Sequence, residues 1–289
     1  MRILLTIPHY FNPADSETRY GASIDDVKSR VNSLTACVNS LHQLFSGPQC
    51  VMQIREGKTE TANRPRTAIV HVVIGTTAGR HLLDYLPVDR DFYQSRSFDC
   101  DPRMLGFECR QVLRDRWGSY DWYGYLEDDL ILHDPWFLTK LSWFQSHAGP
   151  ESVLLPNRFE RGTSSLVTRA YVDGDIAAHL TSQWQDVTIV PTINGTVLGQ
   201  PVRFQRPMNP HSGCWFLTAQ QMEEWIGRSD FHDRDTSFIG PLESAASLGL
   251  MKAFRIYKPA PESASFLEIE HAGQRFIRQI RRRDAADHT

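Results

Sequence analysis

Three consecutive acids, Glu127, Asp128 and Asp129, stand between two apolar stretches in the segment YDWYGYLEDDLILHDPWFL, residues 120–138. Carboxylates side by side at the end of a buried segment repel one another, and loss of water makes that repulsion costlier. A divalent cation removes the cost, because hard cations take oxygen ligands. The three acids are therefore candidate ligands for Mn²⁺ or Mg²⁺ and, through the metal, for a phosphate. An exposed strand-end cluster, or charges at a helix N-terminus, is the plainer alternative. Other acid pairs share the spacing: Asp99 with Asp101, Asp173 with Asp175, and Asp233 with Asp235. Their surroundings read as a helix cap, a turn and a charged loop.

Such acids need elements to position them. The aromatic run before Glu127 reads as a strand. In an open parallel sheet, ligands bind beyond the carboxyl ends of the strands. Residues 2–7 and 68–74 read as two further strands, ended by Pro8 and Gly75. Between them Val31, Leu34, Val38, Leu41 and Leu44 recur at helical spacing, until Gly47-Pro48 stops the helix. Strand, helix and strand without a hairpin turn predict a βαβ crossover and a parallel sheet. Residues 104–117 and 136–144 read as later helices. In the second half, Asn194-Gly195 between two apolar stretches predicts a two-residue hairpin turn. Thr218 with Gln221 matches a capping box. Residues 243–253 read as a helix, and 255–257 and 266–270 as strands. The expected fold is α/β, with a Rossmann-like, mostly parallel central sheet flanked by helices and a mixed second half. The expected organisation is one domain over 1–289, with a nucleotide-type half at 1–135, a second half at 136–275 and a basic-polar tail at 276–289.

Composition narrows the class. The hydrophobic fraction is 41%, the charged fraction 22% and the formal net charge -3. These are values of an ordinary globular protein, and they give no reason to expect nucleic acid as a partner. The five cysteines never stand at CxxC spacing, which argues against a zinc site or disulfide framework and fits a reducing cytosol. MRILLTIPHYF reads as an opening strand, not a signal peptide. No apolar run approaches the ~20 residues of a membrane helix. Arg278 to Arg283, with Phe276, Ile277 and Ile280, can form a basic amphipathic helix suited to an anionic membrane surface; a solvated helix is the alternative. The expected location is cytoplasmic, with peripheral contact at the inner face of the membrane.

Four blocks, in order, carry a resemblance. LLTIPHYFNP (4–13), YGYLEDDLIL (123–132), NPHSGCWFLT (209–218) and PLESAASLGLMKAFRIYKPAP (241–261) together span most of the chain. The set resembles glycosyltransferases of the GT-A fold, in the family 2-like group. LEIEHAG (267–273) then places His271 where such enzymes often carry a C-terminal metal-binding histidine. The resemblance implies a nucleotide-sugar donor and a saccharide, lipid-linked or small-molecule hydroxyl acceptor. It implies that Asp129 binds the metal, that Glu127 reaches it through water or contacts the donor ribose, and that His271 is the third contact. Asp128 falls in the same donor-binding block. It implies that Pro8, His9 and Tyr10 lie against the nucleotide, and that Gly213 and Trp215 border acceptor and donor sugar. Glu243 becomes the base that deprotonates the acceptor hydroxyl, in a single displacement with inversion.

Two departures stand out. The family's acidic pair at the catalytic helix is Leu242-Glu243 here, so one carboxylate remains, and it is Glu instead of the usual Asp. The strand at 68–74 runs into VVIGTTAGR, without the acidic turn that reads uracil. A non-catalytic sugar- or partner-binding module is the alternative reading. A nucleotidyltransferase ranks below it, because no Gly-rich phosphate loop follows the first strand.

Overall fold

In the computed structural model, residues 1–13, 27–47, 49–163 and 166–280 are described. The loop around Arg19 and Gly21, Pro48, and the Arg281–Arg283 part of the tail therefore lie outside the described residues.

Continuous apolar runs become strands covered on both faces. Ile3–Ile7 are all buried in β1 (Arg2–Pro8). β1 pairs in parallel with β4 (Ile69–Thr77) on one side and β6 (Trp122–Leu126) on the other. β5 (Gln94–Phe98) extends the parallel sheet beyond β4. β13 (Cys214–Thr218) closes the other edge, giving the order β13-β6-β1-β4-β5. α1 (Val27–Phe45) turns Arg30, Leu34, Cys37, Val38, Leu41 and Phe45 inward, the stripe expected of a 3.6-residue period. α2 (Leu105–Asp115) buries Leu105, Cys109, Val112 and Leu113 in the same way. β2 (Cys50–Gln53) and β3 (Lys58–Thr61) form a separate, mostly exposed hairpin. The expected capping box opens α5 (Ala219–Ile226). Thr218 N donates to Gln221 Oε1 at 3.2 Å, and Gln221 N donates to Thr218 Oγ1 at 3.4 Å.

The chain divides into two compact units. The first is Met1–Asp128 with Phe216–Glu223, and the second is Asp129–Trp215 with Glu224–Thr289. The acidic run is thus cut between Asp128 and Asp129.

The second unit is mixed. One sheet has the order β10-β9-β15-β7, built from β7 (Leu130–Ile131), β9 (Asn157–Arg161), β10 (Arg169–Tyr171) and β15 (Glu268–His271). β15 runs parallel to β9 and antiparallel to β7. The other has the order β11-β12-β14-β8, from β8 (Ser152–Leu154), β11 (Thr192–Val197), β12 (Gln200–Gln205) and β14 (Arg255–Pro259). α3 (Phe137–Ala148) and the short α4 (Ala178–Ser182) belong to the same unit. So do α6 (Pro241–Glu243), a π-helical stretch at Ser244–Leu248, and α7 (Gly249–Ala253).

The hairpin exists, but its turn is not at Asn194-Gly195. Those residues lie inside β11, and the chain reverses at Leu198-Gly199, between the paired Val197 and Gln200. Both turn residues have positive φ, 50° and 76°, as a two-residue hairpin of the favoured twist requires. Leu198 accepts that conformation while 98% exposed. Gly195 serves packing instead: a Cβ there would sit 2.6 Å from the Trp143 ring of α3. Among the described residues, no helix is long and apolar enough to cross a membrane.

Candidate functional site

Asp128 is held through both carboxylate oxygens. Arg30 Nη2 donates to Oδ1 at 2.8 Å and to Oδ2 at 2.7 Å. His9 Nδ1 lies 2.6 Å from Oδ2. Leu82 N donates to His9 Nε2 at 3.0 Å. That bond makes Nε2 an acceptor, so Nδ1 carries the proton given to Asp128. Burial alone would raise the Asp128 pKa; Arg30 and His9 outweigh it and bring it down to about 2. His9 is 0% exposed and Asp128 is buried beside it. Both side chains, expected against the nucleotide, are buried and bonded to each other. They lock the end of β1, the first turn of α1 and the end of β6 together, because a buried carboxylate needs a cation and full hydrogen bonding. Pro8 and Tyr10, on either side of His9, are half-buried. Arg30 carried a sequence signal: it falls in phase with Leu34, Cys37, Val38 and Leu41 on the buried stripe. Glu127, also in this unit, is half-buried, and its backbone oxygen lies 4.0 Å from Cys37 Sγ.

Asp129 opens the second unit and faces a histidine. The antiparallel register of β7 and β15 sets His271 opposite Leu130. Ala272 N donates to Asp129 O at 2.8 Å. This brings His271 Nε2 to 3.5 Å from Asp129 Oδ2. The other ring nitrogen, Nδ1, is 3.0 Å from Glu160 Oε1. Glu160 sits on β9, is 0% exposed, and also accepts from the backbone N–H of Phe276 at 3.0 Å and Ile277 at 2.8 Å. Burial would raise the Glu160 pKa, but the bonds from His271, Ile277 and Phe276 hold it below the usual range. Burial likewise opposes charge on His271; Asp129 and then Glu160 outweigh it and raise its pKa above 6.5.

Among the described residues, no group of three or more His, Cys, Asp or Glu side chains is arranged to hold a metal ion. Asp129 and His271 form a pair. A small octahedral cation bound at about 2.1 Å sets neighbouring ligand atoms roughly 3 Å apart, and the 3.5 Å between Asp129 and His271 is close to that. Such cations keep several waters and take further oxygens from substrate phosphates. A carboxylate plus an imidazole with one nitrogen held elsewhere fits the protein's share of that sphere.

The loop at 209–213 is held from behind by an ion cluster. Arg158 Nε donates to Asp173 Oδ1 at 2.8 Å, and Lys258 Nζ donates to Asp173 Oδ2 at 2.9 Å. Lys258 Nζ also donates to the His211 carbonyl at 2.5 Å. His211 Nδ1 is 3.2 Å from Ser247 Oγ in the π-helical stretch. All four side chains are buried. Burial drives the His211 pKa well down, and Lys258 with Arg158 hold Asp173 far below its usual range against the effect of burial. The turn expected at Asp173 is thus an anchor, and Arg158 is buried with it. Nothing local announced it: the partners are 15 and 85 residues away.

Gly213 in that loop is buried with φ 62°. Trp215 is part of the core. It is 0% exposed and packs edge-to-face on Trp225 at 5.2 Å, because β13 is buried along Cys214–Leu217. Glu243 ends α6 and is half-buried. Its Oε2 is shielded, and among the described residues no donor reaches it. Ser244, next to it, is committed: its hydroxyl accepts from Phe238 N and donates to Phe238 O, both at 3.0 Å.

No family model matches the chain, and no curated protein matches it. Among solved structures it is similar to S. aureus TarS 1-349, at 10% identity and a TM-score of 0.46, over 95% of this chain and 61% of that one. The same 1-349 fragment in complex with UDP gives 12% and 0.45, over 89% and 57%. A further S. aureus TarS structure gives 12% and 0.46, over 95% and 37%. The chain thus spans less than two thirds of the length of each of these structures, and the likeness is a distant one of chain path.

Proposed function

We propose that this chain is a metal-dependent glycosyltransferase that moves a sugar from a nucleotide-sugar donor to an acceptor hydroxyl. The observation that supports this most is the pairing of Asp129 with His271 at 3.5 Å, with the other histidine nitrogen already held by Glu160. Two residues far apart in sequence, both singled out by the resemblance, meet there. A divalent cation, Mn²⁺ or Mg²⁺, supplies charge neutralisation on the leaving diphosphate when bound. Asp129 and His271 hold it. Glu127, joined to them through the acidic run, reaches it through water or contacts the ribose, and Pro8 and Tyr10 lie against the nucleotide. Glu243 accepts the acceptor's proton as the hydroxyl attacks with inversion. The loop with Gly213 borders the acceptor, whether saccharide, lipid-linked or small molecule.

One observation favours a second reading, a non-catalytic sugar- or partner-binding module. Leu242 replaces one family acid and Ser244 is committed to Phe238. Thermal unfolding with a panel of nucleoside diphosphates, UDP included, with and without Mn²⁺, separates the readings. Binding raises stability by mass action, about 2.7 kcal/mol at a hundredfold excess over Kd. A Mn²⁺-dependent rise for one nucleotide, lost in Asp129→Ala, is expected. Turnover of the matching nucleotide sugar, lost in Glu243→Gln with binding kept, marks the enzyme; binding without turnover marks the module. No rise with any nucleotide would sink both donor-site readings.

A further inference from the structure

We infer that Glu160 is the positioning residue that selects which nitrogen of His271 faces Asp129, and so makes that imidazole a metal ligand. The inference rests on the metal-dependent reading above and adds a residue that no sequence motif marks. Glu160 lies in the polar run NRFERG, where a charged strand-end residue ordinarily meets solvent. Instead it is fully buried. A buried carboxylate is costly unless donors surround it. Here the donors are His271 Nδ1, Phe276 N and Ile277 N. The parallel pairing of β15 with β9, Glu270 against Phe159, brings the next residues, His271 and Glu160, level.

The chemistry follows from donor counting. An ionised carboxylate only accepts. The bond to Glu160 therefore requires the hydrogen on Nδ1 and leaves the Nε2 lone pair toward Asp129. A carboxylate behind a metal-bound histidine fixes ring and tautomer in this way. Glu160 also ties the segment at Phe276–Ile277 to the same ring, so one side chain orients His271 and anchors the chain that follows it.

A purely structural role would survive Glu160→Gln, since the amide oxygen still accepts from Phe276 and Ile277. The amide nitrogen, however, can donate to Nδ1 and so permit the opposite tautomer. The test combines ¹⁵N NMR of His271, at a pH where the ring is neutral, with Mn²⁺ titration followed by electron paramagnetic resonance. Wild type, Glu160→Gln and Asp129→Ala are compared. The expected result is an Nδ1–H ring in wild type, Nε2–H appearing in Glu160→Gln, and Mn²⁺ affinity lower by about 10- to 100-fold in that variant. An Nε2–H ring in wild type overturns the inference, as does a Glu160→Gln chain with Mn²⁺ affinity within about twofold of wild type. Should Glu160→Gln fail to fold, the wild-type tautomer decides. Failure of the metal reading is a separate result: wild type binds Mn²⁺ no better than Asp129→Ala, whatever the tautomer. The positioning role assigned to Glu160 then falls with it.

Discussion

Asp128, the last residue of the first unit's main segment, commits both carboxylate oxygens to Arg30 and His9, all buried. Asp129, the first residue of the second, turns an oxygen toward an imidazole 3.5 Å away, and both side chains keep some exposure. One peptide bond separates a closed cluster from an open pair. The two acids lie in the turn between β6 and β7, and these adjacent positions meet different partners. A short, buried cluster bonded on both carboxylate oxygens confers rigidity. A longer, half-exposed pair leaves room for an ion. Three adjacent acids therefore do not make three equivalent ligands.

The contrast can be broken most severely at Arg30. Arg30→Met leaves Asp128 buried without its cation, and removing one partner of a buried pair costs about 3–5 kcal/mol. Urea unfolding should show that loss, and the double variant with Asp128→Leu should recover much of it. A loss below about 1 kcal/mol would mean that the cluster is as weak as a surface pair.

Acid sharpens it next. The Asp128 pKa falls from 3.8 to about 2 on folding. A depressed carboxyl pKa contributes stability that is present above its unfolded value and lost as pH falls through the folded one. About 2 kcal/mol should vanish between roughly pH 4 and pH 2 by this linkage. Asp128→Asn should flatten that part of the stability profile, leaving the contributions of Asp173 and Glu160.

The smallest effect has the opposite sign. His271 has its pKa raised above 6.5 by Asp129 and Glu160 against the effect of burial. Its contribution is present below the unfolded pKa and lost as pH rises through the folded one. Stability should decline on the alkaline side in wild type, and His271→Gln should remove that slope. A slope that persists in the variant would place the titration elsewhere.

Much of the frame was legible before any coordinates. The βαβ start came from periodicity in α1 and from continuous apolar runs in β1, β4 and β6. The capping box at Thr218 and Gln221 was readable because both partners are local. The hairpin was readable as a hairpin but not in its turn, since Asn194-Gly195 satisfies the local rule while Gly195 is required by the distant Trp143. The place of Trp215 and His9 in the blocks points to ligand contact, and the fold buries both. Glu160, Arg158, Asp173 and Lys258 were missed because their partners arrive from remote strands.

The amino-acid sequence by itself determined the strands β1, β4 and β6 and the helices α1, α2 and α5, because local periodicity and capping act over a few residues. It also determined that acids follow β6, and that a histidine stands at the end of the last strand. Only the tertiary structure decided which acid is locked by Arg30 and which faces His271, and that Glu160 is buried behind the imidazole. Those choices depend on register between strands far apart in the chain, and on the rule that a buried charge must meet its partner wherever the fold delivers one.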